Sequence, residues 1–191
     1  MKAILTSLIF CYSIVTMAQD NIHWVDIEKA QFMVKKGEKP IMLFIYADWC
    51  DHCQLIKNTT LKNQEIIHYI NDNFIPVKFN VSSMDTIIFN GKRFVNKDTN
   101  EKPKHQLALY LAVVDNTIGF PTFIFMNGDL NRIMVPTRGY KTISRMELFL
   151  RYIAEKHYAK ESFEDYATSF VSTFETMVHG NTPSNDEECT E

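Results

Sequence analysis

The stretch "IMLFIYADWCDHCQLIKN", residues 41–58, carries the most informative pattern of this chain. The apolar run over residues 41–47 is typical of a strand that is covered on both faces of a sheet. It leads into Trp49 and then into two cysteines, Cys50 and Cys53, with two residues between them. By spacing alone the two cysteines fit a redox pair, half of a metal site or two ordinary thiols on one helical turn.

The position of the cysteines, at the end of a strand and the start of a helix, favours redox chemistry. A thiol at a helix N-terminus lies near unpaired N–H groups and the positive end of the helix dipole, which lower its pKa from ~8.5 into the range ~3.5–7.5. Cys50 is therefore the candidate nucleophile, and Cys53, one turn later, is the candidate that resolves a mixed disulfide. His52 favours the Cys50 thiolate and Asp51 opposes it, so their net effect stays open.

The composition is that of one globular domain and excludes several classes of partner. The chain has 191 residues, of which 46% are hydrophobic and 13% are aromatic. A formal net charge of −3 gives no reason to expect nucleic acid or an anionic membrane as a partner. A zinc site needs further ligands, and the chain has no second cysteine pair, so no metal is expected. A purely structural disulfide across so short a loop would stabilise the fold little.

The N-terminal residues 1–18 have the layout of a cleavable secretory signal peptide. Lys2 is their one charge, an apolar stretch follows, and Thr16 and Ala18 provide the small residues that precede a cut after Ala18. A transmembrane anchor is the alternative, but the apolar run is short for a span. We expect a periplasmic or secreted protein with no stable membrane insertion after cleavage, and Cys11 is removed with the signal.

The C-terminal residues 179–191 are acidic and rich in turn-forming residues, so we expect a disordered tail. Cys189 lies in this tail and is the third cysteine of the mature chain. We interpret this third cysteine, which has no predicted partner, as an incidental thiol.

Helices and strands alternate along the rest of the chain, as the spacing of apolar residues indicates. The predicted elements are helices over residues 24–36, 64–74, 104–114 and 145–158, a helix with Cys50 at its N-terminus, strands over 41–47, 75–81, 122–126 and 130–136, and a hairpin over 86–97 that turns at Asn90-Gly91. The strand at 130–136 is expected to pair antiparallel with that at 122–126, and Ser144 with Glu147 to form a capping box.

These elements predict an α/β fold in which a central mixed sheet has helices on both faces. The domain covers residues 19–160, with an insert of a hairpin and a helix at about 82–117. A C-terminal helix is expected over 161–178, and its aromatic stripe is expected to dock on the core of the same domain. The stripe consists of Phe163, Tyr166, Phe170, Phe174 and Met177.

A second motif, Gly119-Phe120-Pro121-Thr122, precedes the strand at 122–126. Pro121 cannot donate a ladder hydrogen bond and so marks the entrance of that strand, where a cis peptide after Phe120 is tolerated. Together with Trp49-Cys50-X-X-Cys53, this motif makes residues 24–156 resemble the thioredoxin superfamily. The resemblance is to secreted bacterial thioredoxin-like proteins and to the C-terminal thioredoxin domain of the bacterial transmembrane thiol reductase.

The resemblance implies a thioredoxin-like fold, thiol–disulfide exchange on protein substrates, a redox partner protein and no cofactor. It implies that Cys50 is the exposed attacking thiol, that Cys53 is the buried resolving thiol, and that the two form a disulfide. It also implies supporting roles for other residues. These are Trp49 as a shield, Pro121 as a cis-proline beside the disulfide with Phe120 and Thr122 next to it, Lys78 behind the cysteines, and Gly139 before the final helix.

The chain departs from the thioredoxin pattern at two places. Phe44 stands where thioredoxins carry a buried aspartate that helps to deprotonate the resolving cysteine, and Asp48 is a candidate substitute. Asp51-His52 replaces the usual Gly-Pro, and a histidine at this position resembles oxidising and isomerising relatives. We expect an exported thiol–disulfide oxidoreductase whose direction of electron flow stays open. The alternatives are a binding module with an idle disulfide and a metal carrier that uses Cys50, Cys53 and His52.

Overall fold

The computed structural model describes residues 20–36 and 39–174. The predicted signal peptide with its cut after Ala18, Cys11, Met177 and the acidic tail with Cys189 lie outside these residues. The described elements are α1 (Ile27–Lys36), β1 (Ile41–Tyr46), α2 (Asp51–Asn58), α3 (Gln64–Asn73), β2 (Ile75–Asn80), β3 (Ile87–Phe89), β4 (Lys92–Phe94), α4 (Gln106–Ala112), β5 (Thr122–Met126), β6 (Thr137–Arg138), α5 (Ile143–Ala154) and α6 (Phe163–Ser169), with short 3₁₀ turns at Thr60–Lys62 and His157–Ala159.

The main sheet is mixed and has the strand order β2-β1-β5-β6. The apolar run predicted as a buried strand forms β1, which pairs parallel with β2 and antiparallel with β5. Leu43 and Phe44 in the middle of β1 are both almost completely buried, although they point to opposite faces. Burial of each such side chain stabilises the fold by about 1.5–3 kcal/mol. The predicted mixed α/β architecture is confirmed.

The two faces of the sheet have separate cores. Leu43 and Ile45 pack with side chains of α1, α4 and the hairpin, and both cysteines belong to this core. Phe44 lies on the other face and packs with side chains of α3, α5 and α6. The cysteine pair and Phe44 are therefore on opposite sides of the same strand.

The predicted hairpin forms a second, two-stranded sheet of β3 and β4. It turns at Asn90 and Gly91, whose φ values of +48° and +73° are those of a two-residue hairpin turn. Side chains of α1 cover its outer edge. The Gln31 amide donates to the Ile88 carbonyl at 2.8 Å and accepts from the Asn90 N–H at 2.7 Å. Glu28 accepts from the Ile88 N–H at 2.8 Å, so the edge is closed to further strands.

Helix α1 begins at Ile27 and not at Trp24 as predicted. The residues before it run alongside β2, where Val25 forms a parallel bridge with Val77 and its N–H donates to the Pro76 carbonyl at 2.8 Å. This segment satisfies backbone groups of β2 that a helix from Trp24 would leave unpaired.

The prediction that residues 130–136 form a strand antiparallel to β5 is wrong in extent. This segment contributes a single bridge, between Met126 and Arg132, and the ladder with β5 is formed by β6. The cause is a wide turn, because the Asn127 side chain accepts from the N–H groups of Asp129 and Asn131. The chain therefore returns to β5 later than the Asn-Gly pair suggests.

The predicted capping box of Ser144 and Glu147 is also wrong. Helix α5 begins two residues earlier, and Thr142 is its N-cap, accepting from the Arg145 N–H at 3.2 Å. Glu147 lies inside the helix and is completely buried.

The predicted C-terminal helix over 161–178 is shorter than expected. Helix α6 ends at Ser169, residues 170–174 are not helical, and residues 175–178 lie outside the described part. The prediction that the aromatic stripe docks on the domain's own core is confirmed for its described members. Phe163 stacks on Phe149 with ring centroids 4.6 Å apart, and Phe174 meets Tyr69 at 5.8 Å.

Glu147 holds the chain after α6 against α5. Its carboxylate accepts hydrogen bonds from the hydroxyl groups of Ser172 and Thr173 and from the backbone N–H groups of Thr173 and Phe174, at 2.6–3.1 Å. The Arg151 guanidinium completes the set at 2.7 Å. Burial alone would raise the pKa of Glu147, but these hydrogen bonds outweigh it and lower the pKa.

We expect Glu147→Gln to destabilise the protein by about 3 kcal/mol at neutral pH, because an amide would replace the one buried charge that accepts all of these bonds. Since the folded-state pKa is below the unfolded value, the stabilisation by Glu147 is complete above the unfolded pKa and is lost as the pH falls through the folded one. Urea unfolding at several pH values measures both effects. Glu164→Gln, an exposed change in α6, is the control, and equal destabilisation by the two variants would contradict this account of Glu147.

Candidate active site

Cys50 is the N-cap of α2, as the sequence predicts. It forms a disulfide with Cys53, and the two Cα atoms are 5.2 Å apart. The Cys50 sulfur also accepts a hydrogen bond from the Cys53 N–H at 3.1 Å. Cys50 is 9% exposed, whereas Cys53 is completely buried. An N–H donor and a helix N-terminus at one sulfur are the conditions that stabilise a thiolate.

The site lies where β1 and β2 end at the same edge of the sheet. The Val81 N–H donates to the Tyr46 carbonyl at 2.8 Å, and this bond continues the ladder by one residue beyond both strands. The chain then leaves the sheet through Asp48, whose carboxylate accepts from the Asn80 amide at 2.7 Å. Asp51 and His52 follow in the first turn of α2 and are exposed.

Trp49 connects the cysteine pair to two other segments. Its ring meets Phe120 edge-on, with centroids 5.8 Å apart, and this contact brings the loop before β5 to the site. Its indole N–H donates to the Ser82 hydroxyl at 3.3 Å, and the Lys102 amine lies 4.9 Å from the ring centroid. The indole is 38% exposed, so it covers the site and still presents an apolar surface to solvent.

The loop before β5 has the cis peptide between Phe120 and Pro121 that the sequence indicates. Pro121 and Thr122 are buried, and the Thr122 hydroxyl donates to the Gly119 carbonyl at 2.6 Å. The Gly139 N–H donates to the Pro121 carbonyl at 2.8 Å. Gly139 has φ +82°, in the left-handed region that favours glycine, so this residue type fits the position that the sequence motif gave it.

The insert contributes residues to the site that sequence reasoning missed. Ser82 accepts from Trp49 and donates to the Pro103 carbonyl at 3.2 Å, and Lys102 is the residue before that proline. Neither Ser82 nor Lys102 lies in a motif, and their polar surroundings resemble any surface loop. No signal in the sequence marks them, because their place beside Trp49 depends on how the insert folds back.

Asp48, the candidate substitute for the buried aspartate of thioredoxins, is not buried. Its side chain is exposed and lies 3.7 Å from the Lys57 amine. The Lys57 amine also lies 3.6 Å from the Tyr46 ring centroid. Burial lowers the pKa of Lys57, Asp48 opposes this shift, and the charge of Lys78 adds to it. Burial, with the charge of Asp48, raises the pKa of Tyr46.

Lys78 is exposed on β2, in register with Phe44. Its amine lies 6.0 Å from the Trp24 ring centroid, on the face of the sheet that holds Phe44. Cys53 packs in the core of the other face. The expected place of Lys78 behind the cysteines is therefore not what the structure shows.

Within residues 20–36 and 39–174, no three histidine, cysteine, aspartate or glutamate side chains come together in a way that suits a metal ion. Among the helices of the same residues, none has both the length and the apolar character to cross a membrane.

Comparison with known proteins agrees with this fold. A family model described as a thioredoxin-like domain matches residues 27–154. Mouse anterior gradient protein 3 is 35% identical over 57 residues, which are 29% of this chain and 34% of that protein. The chain thus spans about a third of the length of this curated relative.

Two solved structures resemble the fold. A thioredoxin-fold protein from Helicobacter pylori has 21% identity and a TM-score of 0.51, and the alignment covers 69% of this chain and 79% of that one. A thioredoxin from Thermus thermophilus has 16% identity and a TM-score of 0.52, with coverage of 72% and 90%. At these identities the likeness concerns the fold alone.

The chain belongs to the thioredoxin-like domain family, whose model covers most of it. The α/β fold and the resemblance to the thioredoxin superfamily are confirmed, and the fold carries a Cys-X-X-Cys pair at disulfide distance.

The difference in burial predicts that the two reduced cysteines react at different rates. In a background with Cys11→Ser and Cys189→Ser, we expect iodoacetamide to alkylate Cys50 at least about tenfold faster than Cys53, because only Cys50 reaches solvent and has thiolate-stabilising donors. Mass spectrometry of peptides after short exposure measures the order. The pH dependence of the rate gives the pKa of Cys50, and faster alkylation of Cys53 would contradict the assignment.

Proposed function

We propose that this protein is a thiol–disulfide oxidoreductase that acts on protein disulfides or dithiols through Cys50 and Cys53. The observation that supports this most is the asymmetry of the pair. Cys50 is at the helix N-terminus and is 9% exposed, whereas Cys53, bonded to it, is completely buried. A disulfide that served stability alone would need no such difference between its sulfurs.

The reduced protein acts in two exchange steps. The Cys50 thiolate attacks one sulfur of a substrate disulfide, which forms a mixed disulfide and releases the other substrate sulfur as a thiolate. Cys53 then attacks the Cys50 sulfur, which forms the Cys50–Cys53 disulfide and releases the second substrate sulfur. The substrate gains two electrons and the protein loses two, which a partner dithiol protein returns. The same steps in reverse oxidise a substrate dithiol.

Trp49 and Phe120 form the aromatic surface on which a substrate segment would lie beside Cys50. Their edge-on contact fixes the loop of Pro121 and Thr122 against the cysteine motif. The resemblance to the thioredoxin superfamily implies that the cis-proline loop aligns the backbone of the substrate. We propose this role for Phe120, Pro121 and Thr122. Protein substrates and a redox partner protein fit this open surface better than a small molecule does.

We also propose that the protein works after export, in a periplasmic or extracellular compartment where disulfides persist. This part of the proposal rests on the signal-like sequence of residues 1–18 and its cut after Ala18. The domain that follows needs no cofactor for the two exchange steps.

Cys50→Ser is expected to abolish turnover in reduction of insulin by dithiothreitol, because the attacking thiolate is lost. Cys53→Ser is expected to accumulate mixed disulfides with substrate, because Cys50 still attacks but nothing resolves the product. Turbidity measures the first effect, and non-reducing electrophoresis with mass spectrometry measures the second.

Cys189→Ser is the matched control and should retain the rate of the natural protein. A Cys50→Ser variant that reduces insulin as fast as the natural protein would overturn the proposed function.

Asp51 and His52 should shift the reduction potential in opposite directions. Asp51→Asn removes a negative charge next to the Cys50 thiolate and is expected to raise the potential. His52→Ala removes a group that can be positive there and is expected to lower it. A change of about 0.5–1.5 kcal/mol in thiolate stability corresponds to about 10–30 mV. Equilibration with glutathione measures the potential, and shifts of the same sign would contradict this electrostatic account.

A binding module with an idle disulfide is the second candidate function, and one observation favours it. Phe44 is buried in an aromatic cluster, with ring centroids 5.0 Å from Phe123 and 5.4 Å from Tyr46, where the redox-active relatives carry a carboxylate. This candidate predicts a pair that stays oxidised at a very low potential and an unreactive Cys50. The measurements of potential and alkylation described above therefore separate the two functions.

A further inference from the structure

A cavity of about 280 Å³ lies on the face of the sheet opposite the cysteines. We define the lysine pocket by six of the residues that line this cavity. They are Trp24, Phe44, Tyr46, Lys57, Lys62 and Lys78.

Aromatic rings form the apolar part of the lysine pocket. The Phe44 ring lies 6.1 Å from Trp24 and 5.4 Å from Tyr46, measured between centroids, and the Phe44 and Tyr46 rings are nearly parallel. Trp24 reaches this position because the extended segment before α1 runs alongside β2. Flat apolar walls of this kind bind flat apolar groups.

The charge of the pocket is unbalanced. Among the residues that the structure describes, three lysines line it and no carboxylate does. Within the described residues, Asp48 pairs with Lys57, and no carboxylate forms an ion pair with Lys62 or Lys78. Burial is the largest cause that lowers the pKa of Lys57, and the charge of Lys78 adds to it, so these two amines repel each other. A bound anion would relieve this repulsion.

We propose that the lysine pocket binds a small organic anion with a flat aromatic body, of the aromatic carboxylate class. The partly exposed rings of Trp24 and Tyr46 contact the body, and the buried Phe44 ring packs against both of them. The amines of Lys62 and Lys78 contact the carboxylate. The site is separate from the redox pair, since the cysteines pack in the core of the other face. Its test therefore does not depend on the proposed redox function.

The probe is 2-naphthoate, and its neutral analogue 2-naphthamide is the matched control ligand. Calorimetry on the whole protein measures affinity, and NMR locates the site, because the chain has two tryptophans and thus two indole N–H signals. Trp49→Phe assigns them. We expect naphthoate to shift the Trp24 signal and not the Trp49 signal, and naphthamide to bind several-fold more weakly.

Variants test the contribution of the charges. Lys62→Gln combined with Lys78→Gln is expected to weaken naphthoate binding about tenfold and to leave naphthamide binding unchanged, since two partly exposed ion pairs are lost. Lys29→Gln, an exposed lysine of α1, should change neither. The proposal is overturned if naphthoate does not bind at ~5 mM, if both ligands bind equally, if the shift appears at Trp49, or if the lysine variant binds as the natural protein does.

Discussion

The six residues of β1, Ile41–Tyr46, pair with a strand on each side and are covered by helices on both faces. A strand held in this way cannot slip by one residue without moving every apolar side chain to the wrong face. Its end is therefore fixed, and so is the start of α2, because the connection contains only Ala47, Asp48, Trp49 and Cys50. The position of the cysteine pair follows from the burial of this strand.

The remaining parts of the site are brought to that fixed point by contacts of Trp49. One contact is with Phe120 and the loop before β5, and another is with Ser82 at the start of the insert. The insert is held by its own hydrogen bonds and by the core that its hairpin and α4 share with β1. His105 is completely buried, caps α4 by accepting from the Leu107 N–H, and bonds the Asp85 carbonyl through its other ring nitrogen at 2.9 Å. These bonds make the insert a defined wall of the site.

Asp98 orders the part of the insert that carries Lys102. Its carboxylate accepts from the backbone N–H groups of Asn100 and Lys104 at 3.1 and 3.0 Å. These bonds lower the pKa of Asp98, with that from Asn100 the largest cause. Lys102 lies between the two donors and is thereby held near Trp49.

The sequence predicted the features that depend on local chemistry. The apolar run of β1, the Asn90-Gly91 turn, the N-terminal position of Cys50 and the cis peptide before Pro121 each follow from a few adjacent residues. The features it missed depend on distant partners. In the sequence Glu147 resembles a capping residue, but in the structure its carboxylate accepts hydrogen bonds from residues 172–174. The position of β6 depends on a wide turn that the Asn127 side chain stabilises. Ser82 and Lys102 belong to the site only because the insert folds back on Trp49.

Phe44 lines the lysine pocket, on the face of β1 opposite the cysteine pair. A carboxylate at this position would be buried among the rings of Trp24, Tyr46 and Phe123, where an unpaired charge costs several kcal/mol. In thioredoxins that carboxylate is present, and a lysine at the position of Lys78 accompanies it. Here the ring removes the anion and keeps the lysine, and Lys57 adds a second amine above Tyr46. Phe44 at this position of β1 therefore leaves a cationic, aromatic pocket on the face opposite the cysteine pair.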